Sequence, residues 1–357
     1  MKKVLQHRLF WPAFSLVALI VVNTIARPQF VKITVRDGEL YGALIDILRN
    51  SAPLMLVALG MTLVIATRGI DLSVGAVMAV SGAVTLTIID GSSDPGSTGT
   101  VLVAIVVGVG VALLLGVWNG FLVAVLNIQP IIATLVLMLA GRGVALLITD
   151  GFITTVTSPP LKFVASGYLL FLPFAFLISV AAIAVIAVFE RRTALGVLTE
   201  AVGINPEASR LAGVRSRGII LGAYVVSGTF AGIAGIIYSS NIMAADANAA
   251  GDLIELYAIL AVVLGGTSLM GGKFTIAGTV IGVFIIQTLE STILFLGVPS
   301  AQSPVFFAAV VILVVLIQSP RLHRMARQLT GRSRPPQAPP PPQSPQAAAP
   351  TDAEVTA

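Results

Sequence analysis

Ten long apolar runs constrain this chain more than any other feature of its sequence. A helix that crosses the hydrocarbon core of a bilayer needs about 20 mainly apolar residues. Of the 357 residues, 56% are hydrophobic and only 10% are charged, against about 25% charged residues in a soluble domain. The sequence therefore predicts an all-α integral membrane protein with about ten transmembrane helices. The predicted spans are 9–26, 51–67, 71–90, 101–126, 129–149, 169–189, 218–239, 254–270, 273–296 and 303–319.

The distribution of lysine and arginine predicts the orientation of these spans, because basic residues concentrate in the cytoplasmic segments of membrane proteins. With the N-terminus in the cytoplasm, only five of the 21 basic residues fall in outside segments, and one, Arg142, lies within a span. The remaining 15 lie inside. Both termini are therefore predicted to be cytoplasmic. The net charge of +5 is accounted for by this bias, so we predict membrane lipid and not nucleic acid as a partner.

The absence of certain residue types limits the chemistry that the chain can perform. It contains no cysteine, and its two histidines, His7 and His323, lie in basic flanks near opposite ends. A membrane-embedded enzyme needs a nucleophile with a base, or a set of metal ligands. We therefore predict no catalytic residues, no metal site and no cofactor.

Two segments stand apart from the apolar runs. Residues 1–330 read as one polytopic domain, whose longest inside segment is about 190–217. Residues 331–357 are rich in Pro, Gln and Ala and hold few large apolar side chains. Such a composition cannot pack a core, which predicts a disordered cytoplasmic tail.

The segment from Arg68 to Gly75 brings an arginine and an aspartate near membrane depth. Charged side chains there usually face a cavity or pair with each other. Arg68 and Asp71 are three residues apart and could pair on one helical face, and the neighbouring glycines would permit a broken helix that lines a cavity. In the alternative interpretation, the segment is a cytoplasmic turn and Asp71 caps the third helix. Asp71 and Ser73 are candidates for the translocation pathway.

Three more polar side chains within predicted spans are pathway candidates: Asn119, Arg142 and Glu290. Arg142 needs a partner in lipid, either Glu290 or Asp71, unless it extends to the interface. Asn119 is suited to an interhelical hydrogen bond or to a substrate contact. The fourth span is too long for one straight helix, and the glycines beside Asn119 predict a kink or a break there.

A short helix is predicted over 205–213, within the long inside segment. Asn205 can cap it, Pro206 suits its first position, Glu207 suits its N-terminus, and Gly213 can end it. Two turns are too short to be stable alone. The helix therefore needs a docking surface, either on its own membrane domain or on a soluble partner.

A second segment, from Gly265 to Phe274, faintly resembles a phosphate-binding loop. That motif requires glycine five residues before its Gly-Lys pair and Ser or Thr after it. Here Thr267 and Phe274 occupy those positions. Any ATP that drives this chain is therefore predicted to bind another subunit.

Three stretches together resemble the permeases of ribose-type carbohydrate ABC importers: Gly69–Gly75, Gly116–Leu135 and Ala201–Val214. Within that family, 37–48, 141–149 and 245–272 are most similar to galactofuranose permeases. The resemblance extends to about residue 320. It implies a bacterial inner-membrane location, a second permease chain (identical or related), cytoplasmic ABC ATPase subunits and an extracytoplasmic sugar-binding protein.

The same resemblance implies a role for the 205–213 segment. Glu207, Ala208, Ser209 and Arg210, followed by Gly213, resemble the EAA loop with which ABC permeases dock on the ATPase. The chain departs from that pattern at Ser209, and it lacks the later Ile-x-Leu-Pro element. It also has Arg68 where the family more often has glycine.

Two functions from different classes remain open at this point. The leading prediction is a non-enzymatic permease subunit that moves a monosaccharide and is driven by ATP hydrolysis elsewhere. The alternative is an ion-coupled secondary transporter in which Asp71 or Glu290 carries a proton. Resistance of uptake to an uncoupler separates the two.

Overall fold

Thirteen α-helices and three two-stranded ribbons form the part of the chain that the computed structural model describes, residues 9–36, 38–299 and 302–318. The helices are α1 (Phe10–Ala26), α2 (Ala43–Ala66), α3 (Val74–Asp90), α4 (Thr98–Ala124), α5 (Pro130–Ile148), α6 (Pro159–Ser166), α7 (Phe174–Arg192), α8 (Leu195–Ile204), α9 (Pro206–Leu211), α10 (Ser216–Ile242), α11 (Ile254–Leu264), α12 (Ile276–Phe295) and α13 (Ser303–Gln318). The paired strands are β1 (Thr34–Arg36) with β2 (Glu39–Tyr41), β3 (Thr154–Thr155) with β6 (Ala244–Ala245), and β4 (Tyr168–Leu169) with β5 (Leu172–Pro173). One compact unit extends to Val315, within α13.

A helix lies at each of the ten predicted spans, so the predicted helical fold is confirmed. Among the described residues, six helices are long and apolar enough to cross a membrane: α2, α4, α5, α7, α10 and α12. Apolar helices α1, α3 and α11 are shorter. The number of ten spans and the cytoplasmic termini stay predictions, and the tail 331–357 lies outside the described residues.

The predicted eighth span, 254–270, is wrong in length. Helix α11 has 11 residues and is about 16 Å long at 1.5 Å per residue, which is half of the roughly 30 Å hydrocarbon core. The chain leaves the helix at Gly265 and Gly266, and Gly266 has φ +87°. A helical continuation through this turn is therefore excluded by its backbone conformation.

Two other boundaries differ from the prediction. Helix α2 begins eight residues before the predicted span, and it includes Asp46 and Arg49, which pair within it at 3.3 Å. Helix α4 is continuous over 27 residues, so the predicted break is wrong. Its Gly116 serves packing instead, since a Cβ there would lie 2.7 Å from the carbonyl oxygen of Tyr224 on α10.

Helix α10 is the central element and packs against α2, α3 and α4. Small residues let the backbones approach closely, as in other membrane helix pairs. A Cβ on Gly60 of α2 would lie 2.7 Å from the Cα atom of Ser227. A Cβ on Gly228 would likewise lie 2.7 Å from the Cα atom of Gly116 on α4. This close packing brings polar side chains of α10 to the start of α3.

Candidate translocation path and coupling surface

The break between α2 and α3 contains Asp71, which is only 2% exposed. Its Oδ1 atom accepts hydrogen bonds from the backbone N–H of Ser73 at 3.1 Å and from the Ser73 hydroxyl at 2.6 Å. Its Oδ2 atom accepts from the Ser227 hydroxyl at 2.8 Å. The Ser73 Oγ atom in turn accepts from the Asn119 amide at 2.8 Å. The carboxylate thus joins the break to both α4 and α10.

This geometry does not match a side-chain cap of α3 by Asp71. A helix cap would accept from the second or third backbone N–H of α3, whereas the Asp71 carboxylate bonds two residues ahead, at the residue before the helix. The predicted ion pair with Arg68 is also wrong. Arg68 donates through Nε to the carbonyl oxygen of Met270 at 3.0 Å. Its φ of +66° lies in the left-handed region that favours glycine.

Two buried polar atoms beside this network have no hydrogen-bond partner in the described part of the chain. They are the Oδ1 atom of Asn119 and the hydroxyl of Tyr224. A Cβ on Gly69 would lie 2.5 Å from that hydroxyl, which places it at the break. Ser227 and Tyr224 were not among the predicted site residues, because their positions on α10 read as helix-packing positions.

Arg142 has a different partner from those predicted. Its Nη1 atom donates to the carbonyl oxygens of Ala247 at 2.7 Å, Asn248 at 3.3 Å and Ala250 at 2.5 Å. The predicted pairing with Glu290 or Asp71 is therefore wrong. The guanidinium fixes the segment that connects α10 to α11, which we call the connecting segment (246–253).

The connecting segment runs alongside α3. Ala245, just before it, packs in one cluster with Leu86 and Ile89 near the end of α3. Ala247 and Ala250 pack with Ala79 and Ala83 of the middle of α3. At the far end, Gly251 lies so close to Gly75 that a Cβ on Gly75 would overlap its carbonyl oxygen.

Four polar residues of this region were missed at the level of sequence: Asp246, Asn248, Asp252 and Glu255. Asp246 Oδ1 accepts from the N–H groups of Asn248 and Ala249 at 2.9 and 3.1 Å and holds a turn. Asn248 and Asp252 are exposed, whereas Glu255 at the start of α11 is only 4% exposed. Three acidic residues within ten, between two apolar runs, were the available signal.

Glu290 stands apart from these groups. It lies half-buried on α12, and no hydrogen bond or ion pair joins it to Asp71 or Arg142 in the described residues. The structure therefore brings together three of the predicted pathway residues, Asp71, Ser73 and Asn119. Arg142 and Glu290 each lie elsewhere.

The short helix predicted at 205–213 is α9, Pro206–Leu211, and its cap is confirmed. Asn205 Oδ1 accepts from the N–H groups of Glu207 and Ala208 at 3.1 and 3.0 Å. Glu207 accepts from Arg210 Nε at 3.0 Å on an exposed face. The hydrogen bond from Arg210 lowers the pKa of the Glu207 carboxyl, and the same bond raises the pKa of Arg210. Ser209 is buried.

Helix α8 braces this segment against the membrane helices. A Cβ on Gly203 would overlap the carbonyl oxygen of Ala66 and lie 2.5 Å from the backbone nitrogen of Gly272. Gly272 donates to the same carbonyl at 2.9 Å. The end of α2, the α11–α12 turn and α8 therefore meet at one point.

The opposite side of this point is open. Leu211 and Met270 are 75% and 79% exposed, and Val197 and Ile204 are also exposed. Gly213 has φ +86°, and a Cβ there would meet nothing within 4 Å. The predicted left-handed helix end is thus present, whereas a close approach of Gly213 within its own chain is not. We call the surface of Val197, Ile204, Leu211 and Met270 the coupling surface.

A cavity of about 690 Å³ lies beside the coupling surface, between α7, α8 and α10. Its wall is mainly apolar and includes Ile186, Phe189, Leu195 and Phe274. A sugar requires hydrogen-bond partners for several hydroxyl groups, so this cavity does not suit one.

The chain is similar to known permeases over most of its length. Residues 43–315 match the family model described as branched-chain amino acid transport system / permease component. The galactofuranose transporter permease protein YtfT of Escherichia coli is 46% identical over 92% of this chain and 96% of its own length. The fructose import permease protein FruF of Bifidobacterium longum is 41% identical over 92% of each chain. The ribose import permease protein RbsC of Bacillus subtilis is 36% identical over 86% of this chain and 91% of its own. No solved structure matches.

Proposed function

The chain belongs to this family of permease components, and we propose that it is the membrane-spanning subunit of an ATP-driven importer for a monosaccharide. One observation carries the proposal. Relatives named for galactofuranose, fructose and ribose match this chain along almost their whole length. The chain is a multi-pass protein of the bacterial cytoplasmic membrane. It is a non-enzymatic subunit in this proposal.

Partners follow from what the chain contains and lacks. The glycine-rich turn before Lys273 lacks the residues of a phosphate-binding loop, so ATP hydrolysis takes place on a cytoplasmic ATPase subunit. Apolar side chains exposed on the coupling surface, together with the ion-paired Glu207 and Arg210, provide the contact for that subunit. An extracytoplasmic sugar-binding protein delivers the substrate, and a second permease chain, identical or related, completes the membrane domain.

The proposed topology has ten spans and both termini in the cytoplasm. It is supported by the shared location of basic segments that are far apart in sequence. Arg68 contacts Met270, and Gly272, next to Lys273, contacts Ala66. The basic segments after α2 and before α12 thus meet at one end of the helices, as the positive-inside rule expects of a cytoplasmic face.

The pathway candidates take different roles in this proposal. Asp71, Ser73 and Asn119 hold the start of α3 against α4 and α10, and the unpaired Asn119 Oδ1 and Tyr224 hydroxyl give the network a polar side that a water or a sugar hydroxyl can occupy. Arg142 positions the connecting segment. Glu290 remains a candidate on α12.

An ion-coupled mechanism has weaker support. A proton carrier must release and regain its proton in contact with water, whereas the Asp71 carboxylate is enclosed and accepts three hydrogen bonds. The named relatives are permeases for sugars, and the family is described as a component of a transport system. These facts favour an ATPase-driven subunit.

Uptake measurements test the proposal. The chain is co-produced with the ATPase subunit and the sugar-binding protein of its transporter, and uptake of radiolabelled galactofuranose, fructose and ribose is measured. We expect uptake of one of these sugars to persist with an uncoupler and to stop when the catalytic glutamate of the ATPase is replaced. Uptake that the uncoupler abolishes and the ATPase variant leaves intact would overturn the proposal.

A further inference from the structure

We propose that the connecting segment is a sugar-contacting wall of the translocation path, with Asn248 and Asp252 on its open side and Glu255 at its end. The inference rests on the proposed function and deepens it, because it names the residues that meet the substrate. It is carried by the depth of the segment, by the exposure of its polar side chains and by the surroundings of Glu255.

The connecting segment lies at membrane depth. Arg142, which holds it, is twelve residues after the start of α5 and six before its end, hence about 18 Å and 9 Å from those ends. The segment follows α3 from the region of Ile89 to Gly75. Helix α11 is too short to cross the membrane alone, so the segment and α11 cross it together.

Non-helical backbone at membrane depth is tolerated in only a few kinds of surroundings. In lipid, an unpaired N–H or C=O group costs several kcal/mol, so non-helical backbone is tolerated only inside protein or along a water-filled cavity. Three carbonyls of the connecting segment accept hydrogen bonds from Arg142. Asn248, Ala249 and Asp252 of the same segment are exposed and form its open face. A charged aspartate facing lipid would be strongly unfavourable. The open face is therefore assigned to water.

Glu255 is a second and independent indication of a ligand. Its side chain is buried and interacts electrostatically with Arg142, Asp252 and Asp71. In the described residues, its carboxylate hydrogen-bonds to its own backbone N–H and accepts no bond from another residue. Buried carboxylates normally have more donors than this. A hydroxyl group of a passing substrate is the donor that this acceptor lacks.

The chemistry of the wall selects a neutral polyol. Carboxylates are pure acceptors, and an amide both donates and accepts, which suits the several hydroxyl groups of a sugar. The guanidinium of Arg142 holds three backbone carbonyls through its Nη1 atom and is a positioning residue for the wall.

Cysteine accessibility tests the location, and the chain offers a natural background because it contains no cysteine. Single variants Asn248→Cys and Asp252→Cys are compared with Val106→Cys, a 70% exposed position on α4 that we assign to lipid. Each is co-produced with the partner subunits and treated with a charged, membrane-impermeant methanethiosulfonate. We expect the cysteines at 248 and 252 to react about tenfold faster than the one at 106, and the transported sugar to slow them.

The outcomes separate this inference from the proposed function. If the wild-type transporter takes up sugar but both wall cysteines react as slowly as the one at 106, the wall assignment is wrong and the permease function stands. If the wall cysteines react but none of the three sugars is taken up or slows the reaction, sugar contact is refuted, and the proposed function loses its support separately.

Sugar uptake by variants of Asp252 tests the contact between this side chain and the substrate. Losing a hydrogen bond to a charged group costs about 1.5–3 kcal/mol, so Asp252→Ala should reduce the kcat/KM of uptake about tenfold or more, and Asp252→Asn, which keeps one acceptor oxygen, should reduce it less. Asp94→Ala, an exposed aspartate of the α3–α4 loop, is the matched control. Equal uptake by Asp252→Ala and Asp94→Ala at equal abundance contradicts a substrate contact.

Discussion

Replacing Gly203 with alanine tests whether α8 is braced against the membrane helices. The added methyl group would overlap the carbonyl oxygen of Ala66 and lie 2.5 Å from the Gly272 nitrogen. Both atoms belong to backbone, so a side-chain rotation cannot relieve the overlap. Overpacking of this kind costs about 1–3 kcal/mol. The movement would also weaken the Gly272–Ala66 hydrogen bond, a further 0.5–1.5 kcal/mol approximately.

The expected loss for Gly203→Ala is therefore about 1.5–4.5 kcal/mol, combining those two terms. It is measured as a lower unfolding temperature of the detergent-purified protein and as lower sugar uptake at equal abundance. Gly218→Ala is the matched control, since a Cβ on Gly218 meets nothing within 4 Å and alanine is the better helix former by up to about 1 kcal/mol. The bracing interpretation fails if the two variants have the same unfolding temperature and the same uptake.

Four further predictions concern topology, Asp71 and the coupling surface. Reporter fusions after Thr199 and in the 331–357 tail should report cytoplasm and one after Asp94 the exterior; a cytoplasmic signal at Asp94 contradicts the topology. Asp71→Asn should lower uptake at unchanged abundance, because one amide end would donate toward the Ser73 or Ser227 hydroxyl donors; normal uptake would refute a need for both acceptor oxygens. Gly213→Val should reduce uptake and cross-linking of α9 to the ATPase without preventing insertion, because valine is strained at φ +86°; full uptake with no cross-link in the wild type would exclude coupling through α9. Glu207→Gln should lower the unfolding temperature only slightly at neutral pH, since the Glu207–Arg210 pair is exposed and screened by solvent; because the pKa of Glu207 is lowered in the folded protein, this small difference is present above the ordinary pKa of 4.5 and disappears as the pH falls through the folded pKa, and a large drop in unfolding temperature at pH 7 would contradict this.

Features that depend only on residues close together in sequence were predictable from the sequence. The apolar runs located a helix at each predicted span, because apolarity over about 20 residues is a property of one stretch of chain. Asn205 and Pro206 located the start of α9, because a cap bonds only two or three residues ahead. The family could also be identified from short stretches such as Gly69–Gly75.

Hydrogen-bond partners that are distant in sequence were not predictable from the sequence. Arg142 needs a partner at membrane depth, and the sequence offers the carboxylates of Asp71 and Glu290. The structure instead supplies backbone carbonyls, the first of them 105 residues away, because the connecting segment descends beside α5. Hydropathy describes side chains and contains no information about where free carbonyl groups will lie.

The sequence by itself determined that this chain is a helical membrane protein, where most of its helices lie, and to which family it belongs. The tertiary structure decided that α11 is a half-length helix, that Asp71 bonds to Ser227 across 156 residues, and that Asp252 lies exposed on the irregular connecting segment beside α3. The physical reason is the range of the forces involved. Transfer into lipid and helix capping act within one segment, whereas the burial and pairing of a polar group depend on which helices pack around it.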